Sequence, residues 1–315
     1  MAESKSVVVA ALIANGAIAV MKFFGFLVTG SPSMLSETYH SISDTGNQVF
    51  LLVGIRYSGR DASRAHPFGY GKAEFFYSFL VSVLLFGIAG WESAKHGYDA
   101  IVHGGHGGTP DPVQVLGVGP FDPIWVNVTV LVGAIAFESY ALAKANAGMR
   151  SAMDEYGWGS YREAFRKTSD VTTLTAFTED TIALVGAALA LVGVVLSRVL
   201  DDPIFDAVTA LLIGLLLMGF ALALAWENKR LILGESLPSA VEAELRGLVT
   251  GHEGVTHVDT FRTVFVGPEK VLVTADVSFD AELVTGDIDE DISALEQALK
   301  QADSRVRVVY IEPEL

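Results

Sequence analysis

The sequence predicts a membrane all-α fold, a six-helix transmembrane bundle over residues 1–232, followed by a C-terminal cytoplasmic α+β domain over residues 233–315. Hydrophobic residues make up 51% of the 315 residues and charged residues only 18%, whereas soluble proteins average about 25% charged residues. Acidic residues are concentrated at the end of the chain, where residues 233–315 contain 17 Asp and Glu but only 6 Lys and Arg. We therefore expect the first part of the chain to lie in a lipid bilayer and the second part to lie in water.

Six segments of the first part are each predicted to cross a lipid bilayer, which takes about 20 mostly apolar residues. They are Val7–Thr29, Met34–Tyr57, Phe75–Ile101, Ile124–Ala147, Val171–Leu196 and Ile204–Trp226. Lys and Arg are frequent between segments two and three and between segments four and five, and nearly absent from the opposite loops. The positive-inside rule then places both termini in the cytoplasm of a multi-pass protein.

The second part is predicted to form a small αββαβ domain. Alternating apolar residues indicate strands, and longer amphipathic runs indicate helices. The predicted elements, in chain order, are helix Ser239–Thr250, strands Val258–Val266 and Val271–Phe279, helix Ile288–Ala302 and strand Val306–Ile311.

Composition also excludes several classes of function. The chain has no cysteine, which rules out disulfide frameworks, zinc–thiolate fingers and cysteine nucleophiles. Its net charge of −16 argues against a nucleic-acid partner, because such proteins need a basic surface. The sequence contains no recognisable catalytic motif or phosphate-binding loop, so we expect no enzymatic activity.

Ionisable residues within predicted membrane segments are candidates for function, because each costs about 2.5–3.5 kcal/mol to insert. His40 and Asp44 are four residues apart in segment two and share one helix face. This spacing fits either two ligands of a divalent ion or an Asp–His pair that joins helices. Segment five contains Glu179 and Asp180 without a basic residue of its own before Arg198. This second acidic helix favours the metal site. Lys22, Glu92 and Glu138 either pair inside the bundle or extend to an interface.

On the basis of these residues, the chain resembles the cation diffusion facilitator family, which exports divalent metal from the cytoplasm in exchange for protons. The resemblance covers nearly the whole chain, including a metallochaperone-like (ferredoxin-like) C-terminal domain. It rests on four stretches taken together: His40-Ser-Ile-Ser-Asp44, His66-Pro-Phe-Gly-Tyr70-Gly-Lys72-Ala-Glu74, Asp180, and Leu233-Gly-Glu235-Ser-Leu-Pro238. The resemblance implies a homodimer in a membrane, expected to be a prokaryotic cell membrane.

The resemblance also implies a metal site with two ligands on segment two and two on segment five. His40, Asp44 and Asp180 match three of the four positions, and the fourth falls on Ala176, which has no ligating atom. Glu179, the amide oxygen of Asn47 or a water molecule are the alternatives for the fourth ligand, of which we select Glu179. The transported ion is expected to be zinc, with manganese, iron, cobalt or nickel as alternatives, and no resident cofactor is expected.

Two further family sites are altered in this chain. His66 is retained in the loop after segment two, but its partner positions are Ser63 and Tyr70. In the C-terminal domain the family's metal positions fall on Asp259, Asp276, Tyr310 and Glu312, without a histidine. Lys72 resembles a lysine that forms an interhelix charge lock, with Glu235 as its expected partner. The alternatives to a carrier are a non-transporting metal sensor or scaffold and, less in keeping with the motifs, a membrane metallohydrolase.

Overall fold

The computed structural model describes residues 2–103, 122–168 and 171–314. They form two compact units, which we describe separately. The first unit takes the described residues of Met1–Val53, Tyr77–Phe165 and Thr172–Trp226, and the second takes those of Gly54–Phe76, Arg166–Val171 and Glu227–Leu315. The predicted domain boundary at residue 233 stays a prediction.

Long helices coincide with all of the segments that the sequence predicts to be apolar. The helices are α1 (Ala2–Thr29), α2 (Pro32–Ser58), α3 (Lys72–Leu84), α4 (Trp91–Val102), α5 (Ile124–Tyr156), α6 (Tyr161–Lys167), α7 (Val171–Leu200) and α8 (Ile204–Leu233). A π-helical stretch, Leu85–Gly90, joins α3 to α4 without a break, so Lys72–Val102 is one continuous helical segment.

Four helical segments among the described residues are long and apolar enough to cross a membrane: Lys72–Val102, Ile124–Tyr156, Thr173–Leu200 and Ile204–Leu233. Asn15–Thr29, within α1, is also an apolar helical stretch. The second helix, α2, does not reach the same apolar content because polar residues run along one of its faces. A helical membrane part followed by a small C-terminal sheet domain is confirmed, and a count of six membrane crossings stays a prediction.

Small residues bring α4 and α8 into backbone contact within the first unit. A Cβ atom placed on Gly97 of α4 would overlap the backbone of Leu211, and one on Gly214 of α8 would overlap Ala94. Ile213 and Leu217, which flank this contact on α8, are fully buried. Close approach through small residues is how helices pack in lipid, where no hydrophobic force drives them together.

The second unit contains a three-stranded sheet with two helices. Its elements are α9 (Ser239–Thr250), β1 (Val255–Gly267), β2 (Lys270–Phe279), α10 (Thr285–Ala302) and β3 (Val306–Glu314). The strands lie in the order β1-β2-β3, with β1 antiparallel and β3 parallel to β2. The hairpin turn is Pro268-Glu269, where Glu269 adopts a left-handed conformation (φ 51°). The parallel pairing requires a crossover, which α10 supplies.

Candidate metal site

One face of α2 carries the residues on which the predicted site depends. The helix starts at Pro32, and the hydroxyl of Ser31 accepts a 3.3 Å hydrogen bond from the backbone N–H of Met34. Ser is favoured at the N-cap because its hydroxyl accepts a backbone N–H of the first turn. Pro is favoured at the first helical position because it has no N–H to leave unpaired there. Along the helix, spacings of three and four residues place the members of the polar face of α2 in one row, and all of them are buried. These members are Glu37, His40, Asp44 and Asn47.

The predicted ligands His40 and Asp44 lie side by side. Nδ1 of His40 is 3.4 Å from Oδ1 of Asp44. Neither ring nitrogen of His40, nor Oδ1 of Asp44, has a hydrogen-bond partner among the described residues. A buried polar atom without a partner costs about 1–3 kcal/mol, and most such atoms in native proteins are satisfied. This pair therefore presents unpaired nitrogen and oxygen atoms in the interior of the bundle.

Asn47 connects this face to α7. Its amide Nδ2 donates a 2.8 Å hydrogen bond to Oε1 of Glu179, and both side chains are buried. The amide oxygen Oδ1 of Asn47 has no hydrogen-bond partner in the described part of the chain. The carboxylate of Asp44 interacts electrostatically with that of Glu179. Glu179 is therefore the acidic residue of α7 that is bonded to α2 in this structure.

Asp180, the other acidic residue of α7, is placed differently. Adjacent residues of a helix point about 100° apart, and Asp180 is half-buried where Glu179 is buried. Its carboxylate interacts electrostatically with Glu138 of α5 and with Glu179. Ala176, one turn before Asp180, is partly buried. The two carboxylates thus face different parts of the bundle, as their spacing predicts.

The four predicted ligands do not close into one coordination shell in this structure. Within residues 2–103, 122–168 and 171–314, no three His, Asp or Glu side chains converge closely enough to hold a metal ion. His40 and Asp44 are together, Glu179 is joined to their helix through Asn47, and Asp180 lies on a neighbouring helix face. The assignment of His40, Asp44, Asp180 and Glu179 as ligands stays a prediction.

The structure adds charge pairings that the motifs do not select. Lys22 of α1 is completely buried and forms a 2.7 Å ion pair with Glu37, at one end of the polar face of α2. Glu138 is also buried, and it interacts electrostatically with Lys22. The sequence alone indicates that Lys22 and Glu138 are charges inside predicted membrane segments. It does not identify Glu37 as the partner, because an ion pair between helices depends on their relative rotation.

Several of the other family positions make contacts within the protein. The ring centroids of His66 and Tyr70 are 4.2 Å apart. In the sheet, Asp276 bonds Thr260 and Asp259 accepts a 3.1 Å hydrogen bond from Ser278. These partners are hydroxyl and aromatic groups, which would compete poorly with a divalent ion for the side chains of His66, Asp259 and Asp276.

The expected pairing of Lys72 with Glu235 differs from the observed contacts. Lys72 donates to the carbonyl oxygen of Ile232 at 3.4 Å, and Glu235 forms an ion pair with Arg230, with Oε2 2.8 Å from Nε. Partial burial raises the pKa of the Glu235 carboxyl above its ordinary value, and the charge of Arg230 opposes that rise. Arg230 reaches Glu235 because only four residues, including Gly234 with a φ of 99°, separate them at the end of α8.

Comparison with known proteins places these features in context. The family profile described as "Cation efflux transmembrane domain" matches residues 8–233. The chain is 28% identical over 279 residues to the proton-coupled zinc antiporter SLC30A9, mitochondrial, of Mus musculus, covering 89% of this chain and 47% of that protein. It is 26% identical over 272 residues to the cation-efflux pump FieF of Yersinia enterocolitica, covering 85% of this chain and 79% of that protein.

The chain thus spans about half the length of the first of these relatives. Among solved structures, a MamM CTD variant in a nickel form matches with a TM-score of 0.23 and 19% identity, covering 24% of this chain and 96% of that one.

Proposed function

Because the chain belongs to the cation diffusion facilitator (cation efflux) family, we propose that it carries divalent metal cations out of the cytoplasm in exchange for protons. Zinc is the proposed cargo, because the mouse relative is named a zinc antiporter and a histidine among carboxylates suits zinc. Manganese, iron, cobalt and nickel remain alternatives. The relatives are named an antiporter and an efflux pump rather than enzymes, in keeping with a carrier.

One observation carries this proposal: the unpaired nitrogen and oxygen atoms of His40, Asp44 and Asn47, buried along one helix face. A divalent cation would satisfy these atoms, and Glu179 of α7 is hydrogen-bonded to the same face through Asn47. Two carboxylates would neutralise the double charge of the ion, which lowers the cost of holding it in a low-dielectric interior. Asp180 would complete the set after a rotation of α7.

Proton entry supplies the energy for export. Moving a divalent ion against about 100 mV costs roughly 4.6 kcal/mol before any concentration gradient. Metal binding requires deprotonated imidazole and carboxylate groups, so protonation of His40, Asp44 or Asp180 from outside would release the ion. The returning empty carrier then brings protons inward. Rocking of one group of helices against another would expose the site to each side in turn.

We further propose six membrane crossings, both termini in the cytoplasm, and a homodimeric assembly, as the family and the loop charges imply. The protein is then an integral, multi-pass protein of a cell membrane. The C-terminal domain over residues 233–315, which is acidic and contains the β-sheet, would lie in the cytoplasm and contribute to dimerisation.

The test is zinc flux and internal pH in proteoliposomes that contain the purified full-length protein. His40→Ala and Asp44→Asn should each reduce zinc-driven proton flux at least tenfold. Glu92→Gln is the matched control, because it neutralises a partly buried carboxylate of α4 that is outside the proposed site. Undiminished flux in both site variants would refute the proposal. Zinc binding without any flux in the unaltered protein would favour a sensor or scaffold.

A further inference from the structure

A lysine ammonium group lies inside the first unit at one end of the polar face of α2. Lys22 and Glu37 are both 0% exposed. Nζ of Lys22 donates to Oε2 of Glu37 at 2.7 Å and to Oγ of Ser41 at 2.9 Å. Glu37 and Ser41 are one helical turn apart on α2, so the ammonium bridges the same stretch of helix that presents His40.

The charge of Lys22 reaches the predicted ligands. It interacts electrostatically with His40, with Asp44 and with Glu138 of α5. Asp44 also interacts with Glu37, Glu138 and Glu179. Four buried carboxylates and one buried ammonium therefore share one electrostatic environment, in which charges are poorly screened.

The carboxylate of Glu37 has Lys22 on one side and Gly186 of α7 on the other. Its Oε2 is bonded to Lys22, whereas its Oε1 has no hydrogen-bond partner among the residues that the structure describes. A Cβ atom on Gly186 of α7 would lie 2.6 Å from that Oε1. Glycine at this position thus makes room for a carboxylate between α2 and α7, beside the proposed transport site.

We propose that Lys22 sets the metal affinity of this site: it is a built-in cation that withholds Glu37 from the cargo and weakens the binding of a divalent ion at His40 and Asp44. The inference rests on the proposed transport function. A carrier must bind its ion strongly enough to load and weakly enough to release it. Without Lys22, four neighbouring carboxylates would attract a divalent ion too strongly for rapid release, so the fixed positive charge makes the site reversible.

The experiment measures zinc affinity of the purified full-length protein by competition with a fluorescent chelator, and zinc flux in proteoliposomes. Lys22→Met removes the charge and keeps an unbranched side chain that is only one atom shorter. It should bind zinc at least tenfold more tightly than the unaltered protein, since a unit charge within about 10 Å of a divalent ion contributes at least this factor in a protein interior. Flux at saturating zinc should fall because release becomes slow.

Two further variants separate this role from a structural one. The double variant Lys22→Met with Glu37→Gln removes one charge of each sign, so its zinc affinity should return to within about threefold of the original. Lys22→Arg retains the charge and should retain the affinity. Lys95→Met, at an exposed position of α4, is the matched control and should change neither affinity nor flux.

An unchanged or weakened affinity in Lys22→Met would overturn the inference. If that variant does not fold, Glu37→Gln decides the matter, because it leaves the ammonium unpaired and should weaken zinc binding at least tenfold; an unchanged affinity there would also overturn it. Failure of the proposed function would give a different result, because the zinc affinities of His40→Ala and Asp44→Asn would then equal that of the unaltered protein.

Discussion

The side-chain amide of Asn47 donates a 2.8 Å hydrogen bond to the carboxylate of Glu179, joining α2 to α7 three residues after Asp44. Both partners are buried, so the bond holds an acidic side chain against the proposed metal site. The same contact shows why Glu179, rather than its neighbour Asp180, is directed at α2 in this structure.

Replacing Asn47 by alanine should therefore impair both stability and transport. The change leaves a buried carboxylate oxygen without its donor, which costs about 1–3 kcal/mol of unfolding free energy. We also expect zinc flux in proteoliposomes to fall several-fold, because Glu179 loses its orientation. Asn127→Ala is the matched control: Asn127 is equally buried and donates a 3.0 Å bond to Thr29 elsewhere in the first unit. Equal zinc flux in both variants would contradict this role of Asn47.

Ala176→His should strengthen zinc binding. The substitution places an imidazole one helical turn before Asp180, at the position where family resemblance expects the fourth ligand. Four nitrogen and oxygen ligands suit tetrahedral zinc, so zinc affinity should rise at least tenfold relative to manganese affinity. Competition titrations with both metals would measure the change, with Ala176→Leu as a control for volume. No change in the zinc-to-manganese ratio would argue against Ala176 facing the site.

Gly97→Leu should destabilise the first unit by several kcal/mol. Even a Cβ atom at this position overlaps the backbone of Leu211, so α4 and α8 must separate to admit a side chain. Thermal unfolding of the detergent-solubilised protein would report the loss as a lower midpoint. Gly133 of α5 is the matched control, because nothing in the described part of the chain lies within 4 Å of a Cβ atom there. A midpoint equal to that of Gly133→Leu would contradict close packing of α4 on α8.

Asp303→Asn should make the stability of the second unit less sensitive to acid. Burial alone would raise the pKa of the Asp303 carboxyl, but hydrogen bonds from Arg305, the shortest 2.7 Å, hold that pKa below its ordinary value of 3.8. Ionised Asp303 therefore stabilises the fold above pH 3.8, and the contribution is lost as pH falls through the lower folded-state pKa.

The measurement is the unfolding midpoint at pH 7 and at successive values below pH 4. Asp303→Asn should lower the unfolding free energy at pH 7 by about 1–3 kcal/mol and the midpoint accordingly. The midpoint of this variant should also fall less steeply as the pH is lowered. Glu296→Gln, which removes a half-exposed partner of Lys300, should change the midpoint at pH 7 by much less. Parallel acid profiles for Asp303→Asn and the unaltered protein would contradict the assignment.

Hydropathy and periodicity predict the helices well because apolar length is a direct requirement of the bilayer. By the same criterion α2 is the least apolar of the long helices, since its polar face is buried in the bundle. The π-helical stretch Leu85–Gly90 is not predicted, because its hydrogen-bond register is set by packing rather than by residue type. The short helix α6, Tyr161–Lys167, is likewise missed, since seven residues give too little periodicity.

The site is predictable only in part. The spacing of His40 and Asp44 identifies a shared helix face, and their 3.4 Å approach agrees with it. Contacts between helices are a different matter: the bonds of Asn47 to Glu179 and of Lys22 to Glu37 join residues 132 and 15 positions apart. Such bonds depend on how far each helix is rotated about its axis, which one sequence does not determine.

The complete burial of Lys22 also bears on how the chain is made. As α1 leaves the translocon alone, its ammonium has no counterion, and insertion of a lysine at mid-helix is unfavourable by about 2.5–3.5 kcal/mol. Only Gly30 and Ser31 separate α1 from α2, so Glu37 emerges soon afterwards. We expect the two helices to enter the membrane as a hairpin during biosynthesis, and nascent chains truncated before residue 37 to insert poorly in a glycosylation-mapping assay.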